Sequence, residues 1–147
     1  MIITKQIEFD AGHRIPNHKS KCRSLHGHRY KVEIGVYGSV NTTVGDSEEG
    51  MIVDFGDLKT MLIEKVHDPL DHGFIYYKDD VLLDKMSLID MELKWIIFPY
   101  IPTAENIAKW VWEQLIGPIE VWGQARYFLD SVQLWETPTS TAIYKGR

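Results

Sequence analysis

Two stretches of strict alternation constrain what this chain can fold into. From Ile2 to His13, the residues Ile7, Phe9, Ala11 and His13 share one parity, opposite Glu8, Asp10 and Arg14. From His26 to about Val40, His26, His28, Tyr30, Val32, Ile34 and Val36 lie on one face, with Arg29, Lys31 and Glu33 on the other. A period of two is the pattern of a half-buried strand, because successive side chains point to opposite faces of a sheet. The polar loop from Arg14 to Leu25 separates the two. If the strands pair antiparallel, the end of the first lies beside the start of the second.

The rest of the chain reads as helices and strands around that pair. Asn41 to Gly50 (NTTVGDSEEG) is rich in turn formers and predicts a long hairpin connection, after which Met51 to Val53 resumes a strand. Asp54 can cap a helix in which Leu58, Met61, Leu62 and Val66 recur at helical spacing, and Pro69 is expected to end it. Residues 78 to 94 mix apolar and acidic side chains and read as either helical or irregular, and Trp95 to Phe98 is a short strand. Pro102 and Thr103 open a second helix through Leu115, which Gly117-Pro118 is expected to stop. Tyr127 to Glu136 and Thr141 to Tyr144 form a closing pair of strands around the Pro138 turn. The order predicts an α+β fold: a mainly antiparallel sheet with two helices packed on one face. No repeat or linker divides the chain, so residues 1 to 147 are expected to form a single domain.

Composition narrows the function classes. Sixteen Lys and Arg against 21 Asp and Glu give a net charge of −5, which argues against a general nucleic-acid binder. Cys22 is the single cysteine, so nothing asks for an oxidising compartment. The apolar runs are far too short for a membrane span, and Lys5 and Glu8 interrupt the start of the chain where a signal peptide would be purely apolar. The expectation is a soluble cytoplasmic protein that binds neither nucleic acid nor membrane.

The histidines carry the chemistry. His26 and His28 are two apart on a strand, so both rings project from one face; antiparallel pairing brings His13 beside them. An isolated His-x-His is weak evidence, and a strand-end histidine is usually a satisfied polar residue. Three imidazoles on the core face need partners, however, since unpaired buried polar groups are costly, and one metal ion satisfies all three. Three histidines with no obvious fourth ligand match a catalytic zinc site, which keeps one position open. Gly27 between them lets the backbone bend or approach closely, or is simply an exposed strand position. His18 and His67 lack such support and are expected at the surface.

Cys22 lies four residues before His26 in the loop that overhangs the proposed metal. It reads as a fourth zinc ligand, a general base or an inert small hydrophobe; its polar neighbours, Lys21 and Arg23 among them, favour the base. Asp71 and His72 are adjacent in the loop after the first helix, where the carboxylate can orient the imidazole, or both can be surface residues. Glu136 shares the parity of Val132 and Leu134, so it is either a clamp for a ligand with adjacent N–H donors or a strand-end surface residue. Glu105 is explained by the dipole at a helix N-terminus. Charge alone suggests Arg14, Lys19 and Arg23 as holders of a phosphate group.

Six motifs in order resemble one family: Phe9-Asp-Ala-Gly-His13, Cys22-Arg-Ser-Leu-His26-Gly-His28, Met51-Ile-Val-Asp-Phe55, Leu70-Asp-His72, Pro102-Thr-Ala-Glu105-Asn and Trp135-Glu136-Thr. Together they resemble the 6-pyruvoyltetrahydropterin synthase superfamily. The Cys-x-x-x-His-Gly-His spacing is that of its carboxytetrahydropterin branch, which feeds queuosine and other deazapurines. The resemblance implies a tunnelling fold, in which sheets from several subunits join into a barrel, with active sites between subunits of a homo-oligomer, commonly a hexamer built as a dimer of trimers. It implies Zn2+ held by His13, His26 and His28, Cys22 as general base, and Asp71 and His72 as proton-relay partners. It also implies Glu136 as the pterin anchor, with Thr103 and Ala104 contacting the pterin ring through main-chain groups. The implied substrate is 7,8-dihydroneopterin triphosphate. Gly73-Phe-Ile-Tyr76 departs from the family's usual Leu-Asn ending, and residues 78 to 98 are longer than in compact members.

Overall fold

The computed structural model describes residues 1–146. Strand β1 (Ile2–His13) pairs antiparallel with β2 (His26–Gly38) in unbroken register, from Ile2 opposite Tyr37 to His13 opposite His26. β2 continues the sheet onto β5 (Tyr127–Thr137), with a bulge where Gly35 faces Ser131 and Val36 faces Leu129. β5 pairs in turn with β6 (Ser140–Tyr144). The apolar parity of each strand forms the core: Ile7 and Phe9 from β1, Tyr30 to Val36 at alternate positions of β2, and Val132 and Leu134 from β5 are all buried.

Two helices cover that face. α1 (Phe55–Leu62) is capped by Asp54, whose side chain accepts the Gly56 N–H at 2.5 Å, and it buries Leu58 and Leu62 completely. α4 (Ala104–Gly123) is capped by Thr103, and Ile107, Ala108, Val111, Leu115 and Ile119 face the sheet. Each of the buried Leu, Ile and Val side chains contributes roughly 1.5–3 kcal/mol by leaving water, which holds the helices on the sheet.

The sheet is mixed rather than wholly antiparallel. β3 (Gly73–Tyr77) runs parallel to β1 over Ala11 to His13, and β4 (Trp95–Phe98) runs parallel to β3, giving the order β4-β3-β1-β2-β5-β6. Parallel neighbours need a crossover, and a third helix supplies it between β3 and β4: α3 (Val81–Ile89), within the segment that read as helical or irregular. Met51 to Val53 is not a strand; Ile52 and Val53 dock into the core from a bend that leads into Asp54. Pro69 does not end the helical run. A wide turn over Ile63–His67 hands on to a single turn, α2 (Asp68–Leu70), whose second residue is the proline, a position that needs no N–H.

Pro118 likewise lies inside α4 rather than beyond it. An interior proline costs about 3 kcal/mol, but the extra turns bury Ile119 fully and set Trp122 edge-on against Tyr127 at 6.0 Å. That packing outweighs one lost backbone bond, and the helix runs on until Gln124 turns left-handed at φ 45°.

Candidate metal centre and active site

The β1–β2 register places His13 directly opposite His26, with His28 one pleat further along the same face. Close approach of the two strands requires Gly27, since a Cβ there would stand 2.9 Å from the Ala11 carbonyl oxygen. One ring nitrogen from each of the three histidines falls within 4.8 Å of the other two. Two tautomers are fixed by neighbours that can only accept: His13 Nδ1–H donates to the Pro102 carbonyl at 2.7 Å, and His26 Nδ1–H to the Ser24 carbonyl at 2.8 Å. The lone pair of each ring is thereby left on Nε2. The Nε2 atoms of His13 and His28 are buried without any hydrogen-bond partner, an arrangement expensive for a protein unless a cation occupies the space between them. Burial lowers the His28 pKa and drives that of His13 down to about 4, so both rings stay neutral and able to ligate at neutral pH. Glu136 Oε1 approaches His13 Nε2 to 3.6 Å, two acceptors facing one another, which again favours positive charge between them.

A cavity of about 270 Å3 opens beside His13, lined also by Cys22, Thr103, Ala104 and Glu136. Five residues proposed from sequence, drawn from β1, the Arg14–Leu25 loop, the start of α4 and the end of β5, therefore share one space. Cys22 sits in a short 3-10 turn, Lys21–Arg23, and is half-buried. Thr103 is the helix cap and Ala104 the first helical residue, so backbone N–H groups at the α4 terminus border the cavity. His18 also lines it, half-buried rather than on the surface. His67, likewise half-buried, stands against Asp68 and Asp71.

Asp71 and His72 are joined as expected: His72 Nδ1–H donates to Asp71 Oδ2 at 2.6 Å. The turn is braced by reciprocal bonds, with the Asp10 N–H on Asp71 Oδ1 at 2.9 Å and the His72 N–H on the Asp10 carbonyl at 2.7 Å. The Asp10 N–H, followed by the His72 ring, holds the Asp71 carboxyl below the usual range. His72 itself is 80% exposed with φ 58°, a left-handed conformation uncommon for a residue with a side chain. The pair does not share the Cys22 cavity. His72 borders a separate hollow with Gly12, Gly27, His28 and Gly73.

The sequence model of the 6-pyruvoyl tetrahydropterin synthase family matches residues 2–147. The chain belongs to that family. The 6-carboxy-5,6,7,8-tetrahydropterin synthase of Haemophilus influenzae is 32% identical over 145 residues, covering 97% of both chains. The protein of that name from Synechocystis is 38% identical over 143 residues, covering 97% of this chain and 92% of its own. A crystal structure of an uncharacterized protein from Wolinella succinogenes superposes with a TM-score of 0.74 at 27% identity, over 100% of this chain and 98% of the other.

Within this synthase family member, the sequence singled out the histidines, Cys22, Thr103, Ala104 and Glu136, and the fold brings them together. It did not single out the carbonyls of Pro102 and Ser24, which fix the tautomers, because a backbone acceptor leaves no residue-type signature. Asp80 was missed too, although Lys78-Asp-Asp-Val81 ahead of an apolar run carries the mark of a helix cap. Arg14, suggested by charge for phosphate binding, is engaged elsewhere: its guanidinium makes a two-pronged pair with Asp80 at 2.6 and 3.1 Å.

Proposed function

We propose that this chain is a zinc-dependent lyase that converts 7,8-dihydroneopterin triphosphate and one water to 6-carboxy-5,6,7,8-tetrahydropterin, with release of acetaldehyde and triphosphate, an early step toward queuosine and related deazapurines. The observation that carries the reading is the pair of buried, partnerless Nε2 atoms on His13 and His28, with His13 lining the cavity that holds Cys22 and Glu136. His13, His26 and His28 would hold the ion. Bound there, Zn2+ supplies a Lewis acid that stabilises negative charge developing on the substrate's side-chain hydroxyls.

The protein's own groups do the rest. Glu136, at the mouth of the cavity, accepts hydrogen bonds from the pterin amino and ring N–H groups and so fixes the side chain over the histidines. Main-chain groups of Thr103 and Ala104 complete the ring contact. Cys22 takes the proton from the side chain, and His72, oriented by Asp71, carries protons to and from the departing fragments. Because Cys22 and His72 border different cavities of one chain, this relay operates between subunits of a homo-oligomer, a hexamer built as a dimer of trimers, with Asp71 and His72 reaching a neighbour's Cys22.

Metal analysis combined with product mass after incubation with dihydroneopterin triphosphate tests the proposal. The expected result is one zinc per chain and the 6-carboxy product. A 6-pyruvoyl product overturns the assignment, and ligand protection without consumption reduces the protein to a pterin-binding module. His26→Ala should lose the zinc outright, whereas Cys22→Ala should keep it and bind pterin but lose most turnover. Zinc lost with Cys22 would make the thiol a fourth ligand instead.

A further inference from the structure

The segment between β3 and β4 contributes nothing to the Cys22 cavity, yet it holds one of the two buried polar side chains among the described residues. Asp80 is 3% exposed, and it lies 66 residues from its partner Arg14, which is itself only 12% exposed at the side chain. A carboxylate so deeply buried is tolerated only when paired, and here the pairing is two-pronged, the geometry in which a guanidinium is held most rigidly. Asp80 also caps α3, accepting the N–H groups of Leu82 and Leu83. It is therefore anchored from its own side and cannot follow Arg14 if Arg14 moves.

What Arg14 and its neighbour hold in turn is the loop that carries Cys22. The Ile15 N–H donates to the carbonyl of Cys22 at 2.8 Å, and Arg14 Nη1 reaches the carbonyl of Arg23 at 3.5 Å. The cysteine is thus flanked by two bonds originating at Arg14–Ile15, and the side chain of Arg14 is in turn fixed by Asp80. We propose that Asp80 is a positioning residue: through Arg14 it sets where the Cys22 thiol stands over the histidine trio. This rests on the reading of Cys22 as the proton-transfer group. It assigns to the long 78–98 segment a task that the shape of the catalytic cavity does not reveal.

Asp80→Asn is the test, because an amide still caps α3 but no longer neutralises Arg14. In the zinc-loaded variant the zinc content should stay at the wild-type level. The kcat should fall about tenfold with KM within about twofold, since a misplaced proton-transfer group costs rate rather than binding. Cys22 is the chain's single thiol, so its alkylation by iodoacetamide in the native protein reads the loop directly, and the rate should rise about fivefold as the loop loosens. Arg14→Lys, which keeps the charge but not the fork, should move both readouts the same way by less, and it decides the matter if Asp80→Asn does not fold. Unchanged alkylation and kcat, with only a lowered melting temperature, would make Asp80 a structural residue and overturn the proposal. If the wild-type protein does not turn over dihydroneopterin triphosphate, the functional reading falls, while the alkylation arm still decides whether Asp80 positions Cys22.

Discussion

At His13 the demands of folding and of ligation meet on one ring. The strand register buries it to 1% exposure, the Pro102 carbonyl takes its Nδ1–H, and desolvation lowers its pKa from 6.5 to about 4. Between those two values the unfolded chain binds a proton that the folded chain refuses. Stability therefore falls as pH drops from about 6.5 toward 4 and is fully present above the unfolded value, with about 3 kcal/mol at stake. Urea unfolding of the metal-free protein at pH 7 and at pH 4.5 should show that loss, and His13→Asn should flatten it; equal slopes in the two proteins would place the effect elsewhere. The opposition of His13 to His26 and His28 was legible in the sequence because parity along a strand is a local property. The carbonyl that chooses the tautomer is 89 residues away and left no trace.

Among the elements, those whose pattern is imposed by one buried face could be read, and those buried on both sides could not. β1, β2 and β5 alternate because only one face meets the helices. β3 sits between β1 and β4 with Gly73, Ile75 and Tyr76 all buried, so no period of two survives and Gly73-Phe-Ile-Tyr76 resembles a loop. Helix ends were misplaced at Pro69 and Pro118 because local breakers yield to distant packing. The 78–98 segment shows a second consequence of such long-range ties. Lys94, just ahead of β4, donates through Nζ to the carbonyls of Asp68 and Asp71 at 2.6 and 2.7 Å, pinning the end of α2 from which the Asp71–His72 turn departs. Lys94→Met should release that turn and cut kcat severalfold, with Cys22 alkylation unchanged because the Asp80–Arg14 tie is intact. Steady-state kinetics and the alkylation rate, measured on the same sample, separate this effect from that of Asp80→Asn. A Lys94→Met enzyme with wild-type kcat would show that the turn holds its shape without the ammonium.

For the molecule as a whole, the open edges matter as much as the core. β1 pairs with β3 only over Ala11 to His13, so Ile2 to Phe9 carries unpaired backbone groups along one side, and β6 closes the opposite end of the sheet with its outer side free among the described residues. Such edges invite strand addition by another chain, and joining β6 of one subunit to β1 of the next would remove both. The placement of the proposed relay argues in the same direction, because Cys22 and His72 occupy different cavities of a single chain. If sites form between subunits, two inactive proteins can repair one another. Cys22→Ala and His72→Ala chains, each with little turnover alone, should recover about one quarter of wild-type activity when co-refolded in equal amounts, since random assembly puts an intact Cys22 beside an intact His72 at about one site in four. A site built within one chain predicts no recovery at any ratio, because every subunit then lacks one of the two groups. Light scattering on the same mixture shows whether the mass is that of an assembled oligomer, so absent activity in an assembled sample rules out sharing of the relay rather than merely reflecting failed assembly.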